Sequence, residues 1–452
     1  MKSTDPNPWY LPAFGLALVF GSLFALLTPP SQAPDEPSHA RRAWAISEGR
    51  LLPERRGDRV GGEVPKSVVD VSHDFLAGIP FHRERKIRLA TILAGYAVPL
   101  DPDRREFIAY PNTALYGPVC YAPQAAAFAI GRRFTRSVLL LFTLGRLANA
   151  LAAAALLALA VRAAPVFRPA LFLCGLLPMA VFQAGSLSAD AVTNGLAFLL
   201  TAWCLRSRGR EQARMAPADL VVLLLLGALL ALSKPGYLLL SGLVLLVPTA
   251  RFGSGSRRVA ATVAMLASTA GCAALWAAML RERGALGSPA SSNVATLRAE
   301  PASFLLRMLA DLWERAPTLA VQFLGKLGWA DVSVPAALLA AYGLVILLVG
   351  ATGRVAPELR LRDRAIVAAI ILATVCFVAL PFSLPLFPPG PEGAAAHHFQ
   401  GRYLLPLGPA GLLLVSGRRR GFDWDRRWRA LAGWTALVLV ASVVSVVVRY
   451  YG

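Results

Sequence analysis

Apolar runs of membrane-spanning length alternate with short, arginine-rich polar segments along nearly the whole chain. About 20 residues of α-helix cross the hydrocarbon layer, so each such run predicts a transmembrane helix. The runs lie near residues 9–27, 137–161, 169–187, 190–205, 218–233, 236–250, 259–280, 334–352, 365–387, 403–416 and 430–448. Arginines concentrate at 162–168, 206–214, 251–258, 354–364 and 418–429, and short arginine-rich loops mark the cytoplasmic side. With these loops inside, eleven spans place the N-terminus in the cytoplasm and the C-terminus outside. The expected fold is an all-α polytopic membrane protein, with residues 1–452 forming a single integral-membrane domain.

One apolar stretch, 114–130, breaks the count. A crossing there would invert every later loop and put the arginine clusters outside, so it predicts an interfacial or re-entrant helix on the outer face. Residues 28–136 then form a long first extracytoplasmic loop with interfacial helices. Residues 281–333 form a second large outer loop, with an amphipathic stretch at 303–327, and a third outer loop precedes Arg402. The spans 218–233 and 236–250 are short and meet at Ser233-Lys234-Pro235-Gly236-Tyr237, a break of the kind that lines a cavity or turns at the interface.

Composition narrows the partners. Hydrophobic residues make up 56% of the chain and charged residues 16%, yet the net charge is +20. The basic residues sit in the loops between apolar runs, which fits topology determinants and membrane lipids and argues against nucleic acid. Cys120, Cys174, Cys204, Cys272 and Cys376 form no CxxC pair, so neither a disulfide framework nor a zinc site is indicated. The first run is followed by Thr28-Pro29-Pro30 and reads as a retained helix, not a cleaved signal. The inner loops are too short for a nucleotide-binding domain and carry no phosphate-binding loop. An enzyme of this design must take an energy-rich substrate from the bilayer or from outside.

Candidate chemistry clusters on the outer side. Pro34-Asp35-Glu36-Pro37-Ser38-His39 follows the first span. Pro37 suits the first position of a helix running to about Glu48 and stopped by Gly49, with Glu36 as a possible cap. Both acids then lie at the positive helix end, which favours their ionised form. The stretch reads equally as a catalytic or metal-binding cluster, with Asp35, Glu36 and His39 as ligands of a divalent cation such as Mg or Mn, and as an ordinary helix start. Asp190, in a short outer turn, needs a partner or a water-filled cavity, or caps the following span. Arg146, deep in the second span, needs an internal partner. Lys234 and Arg402 are placed to hold a lipid phosphate, or to snorkel and anchor at the interface. His397 and His398 are possible ligands in a solvated loop.

These residues carry a resemblance. Pro34 to His39, the Tyr- and Pro-rich segment Tyr110 to Pro123 with Tyr116, Ser188-Ala189-Asp190, Lys234-Pro235-Gly236-Tyr237, Gly325-Lys326-Leu327-Gly328-Trp329-Ala330-Asp331 and Gln400-Gly401-Arg402-Tyr403 match a bacterial family. It is the membrane-protein family catalogued as domain of unknown function 2142, grouped with the GT-C integral-membrane glycosyltransferases. The resemblance implies a GT-C-like fold in the bacterial cytoplasmic membrane with an extracytoplasmic active site. It implies Asp35 and Glu36 as the catalytic signature, Asp190 as a second functional acid, and a polyprenyl-phosphate-linked sugar as donor to a glycan or lipid-linked acceptor. His39, Tyr116, Arg146, Lys234, Tyr237, Arg402 and Tyr403 are the expected substrate-binding residues. A non-catalytic lipid or polysaccharide transporter, or an envelope-assembly subunit, is the alternative.

The arginine pattern generates a topological prediction. A membrane-impermeant thiol reagent applied from outside is expected to modify a cysteine introduced near Gly393 and to spare one near Gly209. The reverse labelling overturns the orientation.

Overall fold

In a computed structural model, residues 8–76, 78–209, 214–286, 297–353, 355, 358–383, 399–417 and 422–452 are described. His397, His398 and Gly393 lie outside them. Among the described residues, five helices are long and apolar enough to cross a membrane: Tyr10–Leu27, Val138–Ala163, Gly255–Glu282, Leu361–Phe382 and Trp428–Tyr451. The helix Asp190–Gly209, 20 residues long, is buried along most of its length, and it packs with Tyr10–Leu27 against Val138–Ala163. Small residues allow the close approach. A Cβ added at Gly21 would lie 3.1 Å from Ala150 Cβ, so helix backbones meet there without large side chains between them.

Other apolar runs depart from single α-helices. The run at 169–187 is two short helices, Arg168–Gly175 and Pro178–Ala184. Pro178 has no N–H to continue the first helix, and the chain turns before it. The run after Lys234 is a 3₁₀-helix, Pro235–Leu246, and the run after Gln400 is 3₁₀ over Gly401–Leu407 before becoming α-helical over Gly408–Val415. The stretch at 114–130 contains a short 3₁₀ turn and the helix Ala122–Gly131 of 10 residues, about 15 Å long.

The first loop is more structured than a set of interfacial helices. Besides Glu36–Ser47, Lys66–Asp74 and Leu89–Gly95 it holds an antiparallel three-stranded sheet of Glu54–Arg56, Arg59–Pro65 and Arg105–Ala109, paired in chain order. Gly61 pairs with Glu54 on one side and Ala109 on the other. A Cβ there would lie 1.9 Å from the Ile108 carbonyl oxygen, so only glycine permits this approach. The strands are short and charged, and their side chains show no strong apolar alternation from which a sheet could be predicted.

Two buried arginines fasten this loop to the helices. Arg146 donates through Nε and Nη2 to Glu36 at 2.7 and 2.5 Å. Its remaining N–H groups reach the carbonyls of Ala25, Thr28 and Pro29, the frayed end of the first helix. Glu36 also accepts from the backbone N–H groups of Ser31 and Leu187. Arg449, in the last helix, donates to Asp331 and to the carbonyls of Ile79, His82 and Arg85. Trp329 Nε1 donates to the Ser31 carbonyl, so the short hairpin carrying Asp331 braces the same segment.

Removing one member of a buried pair strands the other charge. Glu36→Gln is therefore expected to destabilise the protein by about 3–5 kcal/mol, measured as reduced thermal stability of the solubilised chain. A loss below about 1 kcal/mol would show that the pair behaves as an exposed one and does not fasten the loop.

Candidate functional site

The segment between the first span and the helix Glu36–Ser47 presents its two acids in opposite directions. Asp35 has φ 61°, a left-handed conformation that Asp tolerates better than most residues. It occupies the position before the helix, but its side chain makes no capping bond. Glu36, expected as a possible cap, is the first helical residue, and its carboxylate turns inward to Arg146. The left-handed residue separates the two carboxylates: one enters the protein interior and the other enters a cavity.

That cavity has a volume of about 280 Å³ and is lined by Asp35, His39, Tyr116, Asp190, Lys234, Arg402 and Tyr403, together with Pro111, Asn112, Thr113, Phe382 and Gln400. Arg402 Nη2 donates to Asp35 Oδ2 at 2.5 Å across 367 residues of sequence. Asn112 Nδ2 donates to Asp35 Oδ1 at 3.1 Å. Lys234 Nζ donates to Asp190 Oδ1, and Arg402 Nε lies 3.9 Å from Asp190 Oδ2. The Arg402 and Lys234 side chains are 2% and 6% exposed, Asp190 5%, and Asp35 30%. Asp35 is thus the charged group most open to an incoming molecule. Arg402 Nε has no hydrogen-bond acceptor among the described residues.

Aromatic rings surround the cations. Lys234 Nζ sits 4.3 Å from the Tyr116 ring centre and 5.6 Å from that of Tyr403. Phe382 stacks on Tyr403 at 5.0 Å. Tyr237 does not line the cavity; its hydroxyl donates to the Tyr403 carbonyl at 2.9 Å and holds that residue in place. Close backbone packing brings the walls together: Gly117 N–H donates to the Ser233 carbonyl, and a Cβ at Gly117 would lie 1.8 Å from the Leu232 carbonyl oxygen. Asn149 and Gln124 donate to carbonyls of the 186–188 turn that delivers Asp190.

The sequence-derived set divides here. Asp35, His39, Tyr116, Asp190, Lys234, Arg402 and Tyr403 share the cavity. Glu36 and Arg146 do not, because each spends its polar atoms on the other and on backbone groups. Glu36 is correspondingly corrected from a catalytic or metal-binding residue, and Arg146 from a substrate-binding one, to structural fasteners. A divalent cation held by Asp35, Glu36 and His39 does not fit this arrangement. Glu36 faces away, and Asp35 and Asp190 are already engaged by Arg402 and Lys234. No group of three His, Cys, Asp or Glu residues is set to hold a metal ion among the described residues. Asn112, Gln400 and Phe382 were not anticipated. Asn112 and Gln400 were visible as polar residues inside the quoted stretches, whereas Phe382 carried no signal.

His39 Nδ1 lies 2.7 Å from the Tyr121 hydroxyl, and its ring stacks against Tyr116. Burial, offset in part by Asp35, pulls its pKa down to about 3. Burial also pushes the Tyr116 and Tyr121 hydroxyls upward, so both keep their protons. His39 is therefore neutral in the folded state, while the unfolded chain takes up a proton near the usual value of about 6.5. Its contribution to stability is fully present above about pH 6.5 and is lost as the pH falls towards 3. His39→Gln is expected to flatten the acid limb of the stability profile between about pH 6.5 and 5 by roughly 1 kcal/mol per pH unit on average, approaching about 1.4 at the acid end. Thermal unfolding across that range checks it, and parallel profiles for parent and variant would refute a neutral buried His39.

No curated protein matches this chain, and no solved structure does. Residues 18–410 match the family described as "Predicted membrane protein (DUF2142)", a span containing every wall of the cavity, and the chain belongs to that family.

Proposed function

We propose that the protein is a GT-C-like membrane glycosyltransferase with about eleven spans, working on the extracytoplasmic face of the bacterial cytoplasmic membrane. It would move a sugar from a polyprenyl-phosphate-linked donor to a glycan or lipid-linked acceptor. The observation that carries this reading is the convergence of Asp35, Asp190, Lys234 and Arg402, from separate segments, on one cavity. Two carboxylates, two cations and aromatic walls are suited to a phosphorylated sugar: cations for the phosphate, rings for the sugar faces, and a carboxylate for an acceptor hydroxyl.

The ion pairs suggest an order of events. Arg402 has an unused Nε–H beside Asp190, and its Nη2 is committed to Asp35. A donor phosphate taking Arg402 and Lys234 would compete for the guanidinium and release the Asp35 carboxylate. Asp35 would then accept the proton of the acceptor hydroxyl as that oxygen attacks the anomeric carbon. The bond from that carbon to the phosphate oxygen breaks, its electron pair leaves with polyprenyl phosphate, and Arg402 and Lys234 stabilise the departing charge. A single displacement inverts the anomeric centre. Asp190 holds Lys234 in position throughout. The scheme uses no metal ion.

Asp35→Asn keeps the left-handed backbone, which Asn also tolerates, and keeps an oxygen for Asn112. It cannot take a proton. Transfer from a polyprenyl-phosphate sugar in reconstituted membranes is expected to fall about 100- to 10,000-fold, with donor binding largely retained. Arg402→Ala is expected to lose donor binding as well. Near-native turnover by Asp35→Asn with the parent's donor would remove Asp35 as the base. Movement of lipid-linked sugar across the bilayer without transfer would favour the carrier alternative.

A further inference from the structure

A second large cavity lies at the opposite end of the helix Asp190–Gly209. Its volume is about 490 Å³, larger than that of the first, and Arg208, Arg251, Arg258, Arg360 and Arg362 all contribute to its walls. Asp190 and Arg208 are 18 residues apart on one helix, which separates the cavities by about 27 Å, close to one hydrocarbon thickness.

The arginines differ in what they do. Arg208 donates to the carbonyls of Leu246 and Glu358 and to Asp363, and Arg251 donates to the Ser207 carbonyl. These two join helix ends. Arg258 closes the end of the 3₁₀-helix by donating to the Leu245 carbonyl, and also reaches Thr249 Oγ1. Arg360 and Arg362 make no side-chain hydrogen bond or ion pair among the described residues. The cavity wall contains five arginines against two carboxylates, Glu358 and Asp363, and Asp363 is already paired with Arg208.

Topology alone requires arginines in inner loops, wherever they point. It does not require arginines from three separate loops to face one concave space. The same space is walled by Leu245, Leu246, Val247 and Ile366. Guanidinium groups beside aliphatic side chains at a helix-bundle end match a phosphate group attached to acyl chains. We infer that this cavity binds the phosphate headgroup of an anionic phospholipid from the leaflet facing the arginine-rich loops. The inference is independent of glycosyl transfer, because the cavity shares no residue with the first.

The test uses the full-length protein, delipidated in neutral detergent and titrated with phosphatidylglycerol, phosphatidylcholine or inorganic phosphate. Bound lipid is counted by native mass spectrometry. Saturable binding of phosphatidylglycerol, with little binding of phosphatidylcholine, is expected. Arg360→Gln combined with Arg362→Gln removes two cations without a structural bond, and should weaken binding about 25-fold, at about fivefold for each arginine near an anionic surface. Arg426→Gln, on an exposed arginine of the same face, is the control and should leave binding unchanged. Equal weakening by the control would reduce the effect to diffuse surface charge and overturn the site. Equal binding of both lipids would overturn headgroup recognition. Saturable binding of inorganic phosphate, as tight as that of phosphatidylglycerol, would overturn the lipid assignment in favour of a soluble phosphate.

Discussion

The first loop and the cavity beside it depend on the pairing of Glu36 with Arg146. A charged arginine in the middle of an apolar helix is expensive unless all its N–H groups find acceptors. Here they find a carboxylate and three carbonyls at the end of the first helix. Glu36 in turn accepts from the N–H of Leu187, within the turn that carries Asp190. One buried pair therefore sets the distance between the residue before it, Asp35, and the residue three beyond Leu187, Asp190. The left-handed backbone at Asp35 follows from this constraint. The helix start must send one acid inward to Arg146, and the chain must bend sharply if the preceding acid is to reach a cavity. Strain of about 1–3 kcal/mol at such a residue persists only where surroundings hold it in place.

The cavity is close to electroneutral in its own right. Asp35 and Asp190 face Arg402 and Lys234, and His39 is neutral. Such balance explains how four ionisable side chains, three of them nearly buried, can sit together, since each unpaired buried charge would cost several kcal/mol. It also makes the network responsive. Under the proposed reaction an entering phosphate would add negative charge to a balanced set, and the most exposed acid, Asp35, would be the partner most easily exchanged. Asp190, nearly buried and shared between Lys234 and Arg402, is held from two sides and has no comparable freedom.

Much of this was legible in the sequence, and the omissions have physical reasons. Apolar length marks membrane segments, because the hydrocarbon layer imposes a length on any helix that crosses it. The arginine-rich loops led to the expectation that Asp35, Asp190, Lys234 and Arg402 lie on one side of the membrane, and the four residues do line one cavity. What could not be read was direction. Asp35 and Glu36 are adjacent, of the same chemistry, and differ only in which way a left-handed backbone turns them. Arg146 was expected to need an internal partner, but no periodicity could name Glu36, which lies 110 residues away. The three-stranded sheet escaped because its strands are short and polar, and the break at Pro178 was hidden within a continuous apolar run.

The 3₁₀ segments connect the length constraint to the site. Pro235–Leu246 has 12 residues, which as α-helix would extend only about 18 Å. As 3₁₀-helix it extends about 24 Å, and Gly401–Leu407 followed by Gly408–Val415 reaches about 26 Å. The greater rise carries each run further along its axis than an α-helix of the same residue count. Lys234 immediately precedes the first of these helices and Arg402 opens the second, and the Tyr237 hydroxyl ties the two starts together through the Tyr403 carbonyl. The wider α-helical winding, with its shorter rise, would withdraw each start by several ångströms and pull both cations away from Asp35 and Asp190. The same geometry that lengthens two short apolar segments thus also brings their cations to the acids of the first cavity.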